Sequence, residues 1–266
     1  MEITSRGVTM KRTNLVIVMA VLFTLCGMAG CAGRAIKEKQ AAARLDIGTE
    51  YLRSSRYTLA LNELLKAKEL DPGNPEIRYY LGMSYDKKGG VKKAIAEFEK
   101  AVKLNHDYSE AHNYLGVIYL RMEHWDKAIE EFNKALLNIC YPTPATALYN
   151  LGRAYHGKGD CRSALNKYAE AKIREPNTVY LPLIEMYTGI IHFNWGEINK
   201  AAKHFERSIL LFPPHVEPHF WLGKCYVKQK NMQGAMEEFR TVIEMAPLSE
   251  LGEKARKSLE AIEGDI

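Results

Sequence analysis

A spacing of 34 residues recurs along most of the chain, and it constrains the fold more than any other feature. Each copy starts with a Gly, has an Ala twelve residues later and, in all but one copy, a Tyr three residues after the Gly. The recurring glycines are Gly48, Gly82, Gly116, Gly152, Gly189 and Gly223. A fixed period of this length is typical of a helical solenoid, in which two-helix units bury their faces against neighbours. It therefore indicates a binding scaffold rather than an enzyme.

The periodic pattern can be divided into six units. Their bounds are 41–74, 75–108, 109–142, 145–178, 182–215 and 216–249. Each unit predicts a helix A of about 14 residues, a short turn and an antiparallel helix B. Residues 250–266 then predict a capping helix and a short tail, because the last unit of a solenoid needs a cover for its exposed face.

The sizes of the recurring residues explain this pattern, because small and large side chains pack differently between helices. Small Gly and Ala side chains let helix A approach its own helix B closely, and large side chains are expected to fill the layer between units as core. These large residues are Leu64, Phe98, Phe132, Tyr168, Phe205 and Phe239, together with Tyr51, Tyr85, Tyr119, Tyr155 and Tyr226.

The combination of these Gly, Tyr, Ala and large residues resembles the tetratricopeptide repeat (TPR) family over residues 41–249. The resemblance implies an all-α fold, namely a right-handed superhelical solenoid of six TPR helix-turn-helix units with a C-terminal capping helix. The fifth unit departs from the pattern, with His192 at the Tyr position and Thr188 before its Gly. We therefore expect the array to bend or loosen there.

The first 30 residues have the layout of a secretory signal peptide. Lys11 and Arg12 precede an apolar run over 15–25, which is shorter than the roughly 20 residues that a membrane-spanning helix needs. Met10, directly before the basic pair, competes with Met1 as the initiator. An ordinary signal or an uncleaved anchor is the alternative to a cleaved lipoprotein signal.

The segment Met28-Ala29-Gly30-Cys31 resembles a bacterial lipobox. This resemblance implies that Cys31 carries lipid, including palmitate, which anchors the chain to a membrane. Ala32, not Asp, follows the Cys, and in lipoproteins of this kind that implies the periplasmic face of the outer membrane. Residues 31–40 then leave a short tether, which could also join the first helix.

Composition argues against several other functions. A formal net charge of +5 is mild, and no Lys/Arg run is longer than two residues, so we expect no nucleic-acid partner. No nucleophile elbow, phosphate loop or paired-carboxylate pattern is present, so we expect no enzyme activity and no cofactor. We expect a monomer that binds a protein partner.

Histidine and cysteine spacings do not predict a site. His215 and His219 are four residues apart, but neighbouring prolines and the lack of a third ligand argue against a metal. Five scattered Cys do not form a disulfide framework. Cys140 and Cys161 are expected to be separated by a helix about 20 Å long, whereas a disulfide needs Cα atoms within about 7 Å.

In TPR arrays, helix A lines the concave face, and here that face is apolar and aromatic. We predict a partner groove for an apolar strand or helix. The groove residues are Leu45, Leu52, Tyr79, Met83, Val117, Leu120, Tyr149, Met186, Ile190, Phe193 and Phe220. The alternative is that a tight superhelix buries them. The Lys/Asn clamp by which some TPR proteins hold a terminal carboxylate is missing, since Leu45 and Thr49 occupy its places in the first unit.

An insert breaks the period between units 3 and 4. Tyr141, Pro142 and Pro144 stand there, and Asn150 lies two residues before the next Gly. This insert resembles the six-TPR lipoproteins of the type IV pilus biogenesis/stability (PilF/PilW) family. The resemblance implies a pilotin-like role, in which the protein binds secretin subunits and supports their assembly. The alternative is a general envelope adaptor that tethers a cell-wall hydrolase or protease.

Overall fold

The computed structural model describes residues 33–264, and every regular element in this range is helical. The helices are α1 (33–53), α2 (Tyr57–Leu70), α3 (Pro75–Lys87), α4 (Val91–Leu104), α5 (Ser109–Arg121), α6 (Trp125–Leu137), α7 (Pro144–Lys158), α8 (Cys161–Arg174), α9 (Leu181–Asn194), α10 (Ile198–Leu211), α11 (Val216–Lys228), α12 (Met232–Met245) and α13 (Glu250–Gly264). The expected all-α fold is confirmed. The chain forms two compact units, one up to Ala111 and one from His112 onward.

Helices α3, α5, α7, α9 and α11 each begin within one residue of the start of a phased unit, whereas α1 begins before residue 41. Helix α13 follows them and packs through Ala255 and Ile262 against Phe239 of α12, which is the position expected of a capping helix. Helix α1 is longer than a usual helix A, because residues 33–40 are helical and exposed. The segment that we considered as a tether is therefore continuous with the first helix over these residues.

Each turn between helix A and helix B contains one residue with a left-handed backbone. These residues are Ser55 (φ 59°), Gly89 (79°), Glu123 (57°), Gly159 (90°), Gly196 (78°) and Lys230 (61°). The next amide in the chain donates a hydrogen bond to the carbonyl of the recurring Tyr, or of His192, at 2.7–2.9 Å. This Schellman arrangement satisfies a carbonyl at the end of helix A and reverses the chain in a few residues.

A large side chain of helix B lies directly over the Gly of helix A in the same repeat. A Cβ added to Gly116 would lie 2.5 Å from Cε1 of Phe132, and one added to Gly82 would lie 2.8 Å from the ring of Phe98. The corresponding contacts join Gly48 to Leu64, Gly152 to Tyr168, Gly189 to Phe205 and Gly223 to Phe239. The expected close approach of helix A to its own helix B is confirmed.

Four of these large residues also share a cluster with helix A of the following repeat, namely Leu64, Phe132, Tyr168 and Phe205. Phe205 shares a cluster with Leu222 and Cys225 of α11, as expected for a residue that fills the layer between units. The recurring tyrosines differ from the expectation, because they are only half-buried. The Nζ atoms of Lys93 and Lys127 lie 5.6 and 5.4 Å from the ring centroids of Tyr85 and Tyr119. All five tyrosines nevertheless pack against core clusters, so they form the partly exposed edge of the expected core layer.

The fifth repeat is packed like the others. A Cβ on Gly189 would lie 2.7 Å from Cε1 of Phe205, and Phe205 is fully buried. His192, which replaces the Tyr, lies parallel to His204 at 5.3 Å between ring centroids, and its Nδ1 lies 2.5 Å from a carboxylate oxygen of Glu197. The fifth hairpin itself is therefore not loosened. At its junction with the fourth repeat, however, α8 and α9 contact each other less than α6 and α7 or α10 and α11 do, so a bend or loosening at this junction stays a prediction.

A polar pair spaced by 19 residues joins helix A to helix B in five of the six repeats. The pairs are Arg44–Glu63 (2.5 Å), Arg78–Glu97 (2.9 Å), His112–Glu131 (2.7 Å), Glu185–His204 (2.6 Å) and His219–Glu238 (2.7 Å). The fourth repeat has Leu148 and Lys167 at these places. The fifth repeat reverses the order, with the acid on helix A.

The carboxylate of Glu185 is the most enclosed of these acids, with 3% of its side chain exposed. Lys172 Nζ lies 3.1 Å and Arg207 Nε 3.5 Å from its Oε1. Burial by itself raises the pKa of Glu185, but the hydrogen bonds from His204 and Lys172 outweigh burial and bring the pKa below its ordinary value. The pair therefore stabilises the fold while the carboxylate is ionised.

We expect Gly116→Ala to lower the free energy of unfolding by about 1–3 kcal/mol, because the new Cβ would displace the fully buried Phe132 ring. Urea unfolding followed by circular dichroism measures this. The matched control is Gly33→Ala, where an added Cβ meets no atom within 4 Å, and which should be neutral or slightly stabilising. Equal stability of the two variants would contradict the ring-on-glycine account.

We also expect the free energy of unfolding to fall as the pH drops below about 4.5, because Glu185 has a lowered pKa in the folded chain and must be protonated there. Glu185→Gln should be less stable by about 1–3 kcal/mol at pH 7 and should lose less on acidification. Urea titrations at pH 7 and pH 3.5 measure both effects. Glu99→Gln, on an exposed face of α4, is the control. An unchanged pH dependence in Glu185→Gln would count against the pair.

Candidate functional site

The predicted groove residues divide into buried and half-buried side chains. In the unit that ends at Ala111, Leu45 is buried, and Leu52, Tyr79 and Met83 are half-buried. In the unit from His112 onward, the half-buried members are Val117 and Phe193, and the buried members are Leu120, Tyr149, Met186, Ile190 and Phe220. Only the half-buried members present surface to a partner in this conformation.

The buried members hold repeats together. Tyr149 stacks on Tyr180 with ring centroids 4.7 Å apart, and it belongs to a cluster that joins α7, α8 and α9. Met186 is 2% exposed and packs beside Phe205. The side chains available to a partner are therefore fewer than the eleven that the sequence suggested.

Two cations stand at the ninth place of the fourth and sixth units, counted from residues 145 and 216. Arg153 Cζ lies 5.6 Å from the ring centroid of Tyr149 and 6.0 Å from that of Tyr187. Lys224 Nζ lies 4.5 Å from the Trp221 ring centroid, and two phenylalanine rings lie 5.2 and 5.8 Å away. Aromatic faces attract cations at these distances and hold them in place.

A cavity of about 390 Å³ opens beside Lys224. Helices α9, α11, α12 and α13 line it, and its walls are mostly apolar. The lining residues are Phe193, Lys224, Val227, Lys228, Met232, Phe239, Ser258, Ala261 and Ile262. An apolar cavity with a few polar groups at its edge is the usual form of a binding site.

The insert between the third and fourth repeats is a compact connection. Tyr141 is 6% exposed and packs against Ala135 and Ala147, so its ring ties α6 to α7. Pro144 is the first residue of α7, where its missing N–H is not needed, and Pro142 is exposed. The insert thus acts in this structure as a connector that sets the start of α7.

A second apolar surface was not predicted from the sequence. Leu137, Ile173 and Leu210 occupy the same place near the end of helix B in three successive repeats, and they are 78–80% exposed. Ile139 and Val179 in the following loops are 97% and 82% exposed. The sequence does contain evidence for this surface. The other three repeats carry Glu or Lys at this position, whereas these three carry Leu or Ile.

The contacts and burial of the His and Cys side chains in the described range are those of residues that support the fold. Within residues 33–264, no group of three or more His, Cys, Asp and Glu is arranged to hold a metal ion. His219 Nδ1 lies 2.7 Å from Glu238, and burial lowers the pKa of His215. Burial also raises the pKa of the Cys225 thiol to about 12, so this thiol is a poor nucleophile.

The thiols of Cys140 and Cys161 are free. No helix in the described part of the chain is long and apolar enough to cross a membrane. Cys31, the predicted lipidation site, lies outside the described residues.

Comparisons with known proteins agree with the helix pairs. Family models described as tetratricopeptide repeat match residues 107–172 and 189–250, and a TPR repeat model matches 84–123. The CTR9 homolog of Arabidopsis thaliana is 30% identical over 108 residues, which are 40% of this chain. The chain spans about a tenth of the length of that relative.

Two solved structures share the fold. The structure of pilF from Pseudomonas aeruginosa matches with a TM-score of 0.74 and 15% identity, over 84% of this chain and 99% of that chain. The structure of PilW, described as a widely conserved type IV pilus biogenesis factor, matches with a TM-score of 0.72 and 21% identity, over 80% and 97%. The repeat models together match more than half of the chain, and the chain belongs to the tetratricopeptide-repeat proteins.

Proposed function

We propose that this protein is a lipid-anchored periplasmic scaffold that supports assembly of the type IV pilus secretin at the outer membrane. The observation that carries the proposal is the fold match to pilF and PilW over 99% and 97% of their lengths. The lipobox-like segment ending at Cys31 and the Tyr141–Pro144 insert point in the same direction. The half-buried groove residues offer a surface for an unassembled secretin segment.

The helix pairs of a TPR scaffold suit a protein that binds a partner. Helix α1 begins within a few residues of Cys31 and is exposed over 33–40, so a lipid on Cys31 would hold the repeats close to the membrane surface. An anchor this close to the repeats suits a factor that acts on subunits when they reach that membrane.

Deletion of the gene tests the proposal. We expect loss of SDS-resistant secretin multimers from the outer membrane and loss of twitching, both restored by the wild-type gene. Cys31→Ser should abolish palmitate labelling and restore multimers poorly, because the chain is no longer anchored. The matched control is Cys161→Ser, which removes a thiol within the repeats and should restore both readouts.

Intact secretin multimers in the deletion strain would contradict the pilus role. If cell-wall turnover changed instead, the result would favour an adaptor for a hydrolase or protease. Palmitate labelling that persisted in Cys31→Ser would contradict the anchor.

A further inference from the structure

The two edges of the helical array differ in chemistry in the unit from His112 onward. Because successive helices of a repeat array are antiparallel, the turns inside the repeats lie along one edge, and the connections from helix B to the next helix lie along the other. We call these connections, with the last residues of helix B, the apolar edge; its segments are 137–144, 173–181, 210–216 and 245–249. The apolar edge contains nine of the twelve exposed large apolar side chains among the described residues of this unit.

Formal charge is nearly absent from the apolar edge. Arg174 and Glu175 are its only charged residues, and their signs cancel. Burial lowers the pKa of His215, so this imidazole is neutral at pH 7 as well. The turns of the opposite edge carry nine charged residues, and these turns are 121–126, 158–162, 194–199 and 228–233. A binding surface for a soluble protein usually has a polar rim, whereas lipid hydrocarbon excludes charge, so the composition of the apolar edge suits lipid.

The backbone of the apolar edge also suits a medium with little water. Amide groups that enter lipid must be paired within the chain, because hydrocarbon offers no hydrogen-bond partner. The amides of Glu175, Phe212 and Ala246 each donate a hydrogen bond of 3.0 Å to a carbonyl of the preceding helix. Each of the four segments also contains at least one Pro, which has no N–H to remove from water.

The most exposed side chains of the apolar edge project from its loops. Ile139 and Val179 are 97% and 82% exposed, and Leu248 is fully exposed. Side chains that project singly can enter the space between lipid molecules, whereas a folded partner has to match their shape. A lipid on Cys31 would also keep a membrane within reach at a high effective concentration. A bilayer is therefore the occupant that these observations favour.

We propose that the apolar edge inserts its exposed side chains into the interface of a lipid bilayer. Leu137, Ile173 and Leu210, one from each of three successive repeats, enter the boundary between headgroups and acyl chains, and the charged edge faces water. Because the apolar edge has no net charge, burial of apolar surface drives the contact. The contact therefore requires neither anionic lipid nor low salt.

This inference rests on the proposed lipid anchor for the presence of a membrane beside the chain, but it does not depend on the pilus role. It adds a second contact with the membrane, made by the repeats themselves.

The test uses the purified full-length chain in phosphatidylcholine vesicles that contain tritium-labelled phosphatidylcholine. The photoreactive residue p-benzoylphenylalanine replaces Leu210, and we expect light to join the chain to lipid equally well at low and high salt. The matched control carries the same photoreactive residue in place of Met122, an exposed apolar residue at the opposite edge. We expect at least about tenfold less lipid adduct from this control, because its position stays in water.

A second arm places the photoreactive residue at Ile139 and removes apolar surface nearby. Leu137→Ser, Ile173→Ser and Leu210→Ser combined should lower the lipid adduct at least about tenfold, because three apolar side chains no longer enter lipid. Circular dichroism and urea unfolding should change little, since all three side chains are exposed.

The matched control for this arm changes three exposed apolar residues of the opposite edge. Met122→Ser, Trp195→Ser and Met232→Ser combined should leave the lipid adduct from Ile139 unchanged.

Equal lipid adducts from the Leu210 and Met122 positions, or an Ile139 adduct that persists in the folded triple Ser variant of the apolar edge, would overturn the proposal. An adduct between two copies of the chain, or in cells with another protein in place of lipid, would also overturn it and would identify that occupant.

Mass spectrometry of the same preparation shows whether Cys31 carries lipid. If Cys31 is lipidated and Leu210 forms no lipid adduct, only this inference fails. If Cys31 carries no lipid and the chain still floats with the vesicles and forms the adduct, the anchor fails and the apolar edge stands.

Discussion

The contact between a glycine of helix A and a large side chain of helix B supports every other feature of each repeat. It sets how closely the two helices approach, because a single Cβ at Gly116 would already lie 2.5 Å from Phe132. Several of the same side chains reach the following repeat, as Phe205 does at Leu222 and Phe132 does at Leu151. One contact therefore fixes both the helix pair and the position of the next helix A, and with it the surface that a partner can use.

The sequence was sufficient to predict the repeat architecture but not the exposure of individual side chains. Glycines at a fixed period report a close approach directly, since only Gly fits there. The groove positions were inferred from register alone, and register does not tell whether Tyr149 faces a partner or stacks on Tyr180, just before α9. The left-handed turn residues Ser55 and Glu123 were invisible for a similar reason, because the turn geometry is imposed by the helix pair.

The cations at Arg153 and Lys224 show what tertiary context adds. The sequence shows one side of each setting, since an aromatic residue precedes each cation by three or four residues on the same helix. It does not show the rings of Tyr187 and Phe193, which come from another repeat. In the fold, aromatic residues of two helices converge on each of them. The polar residues of this helix A face therefore determine which partner is selected more than its apolar residues do. Apolar groups contribute affinity but discriminate little between partners.

The reversed pair in the fifth repeat has a consequence for how the array assembles. The ring-on-glycine contacts are almost interchangeable between repeats, so they alone would allow a helix A to pair with the helix B of another repeat. If α9 paired with α12, Glu185 would face Glu238, and if α11 paired with α10, His219 would face His204. Each mispairing loses a hydrogen bond between an imidazole and a carboxylate and brings two groups of the same kind together. The order of the two groups therefore distinguishes the fifth hairpin from its neighbours in an otherwise uniform chain.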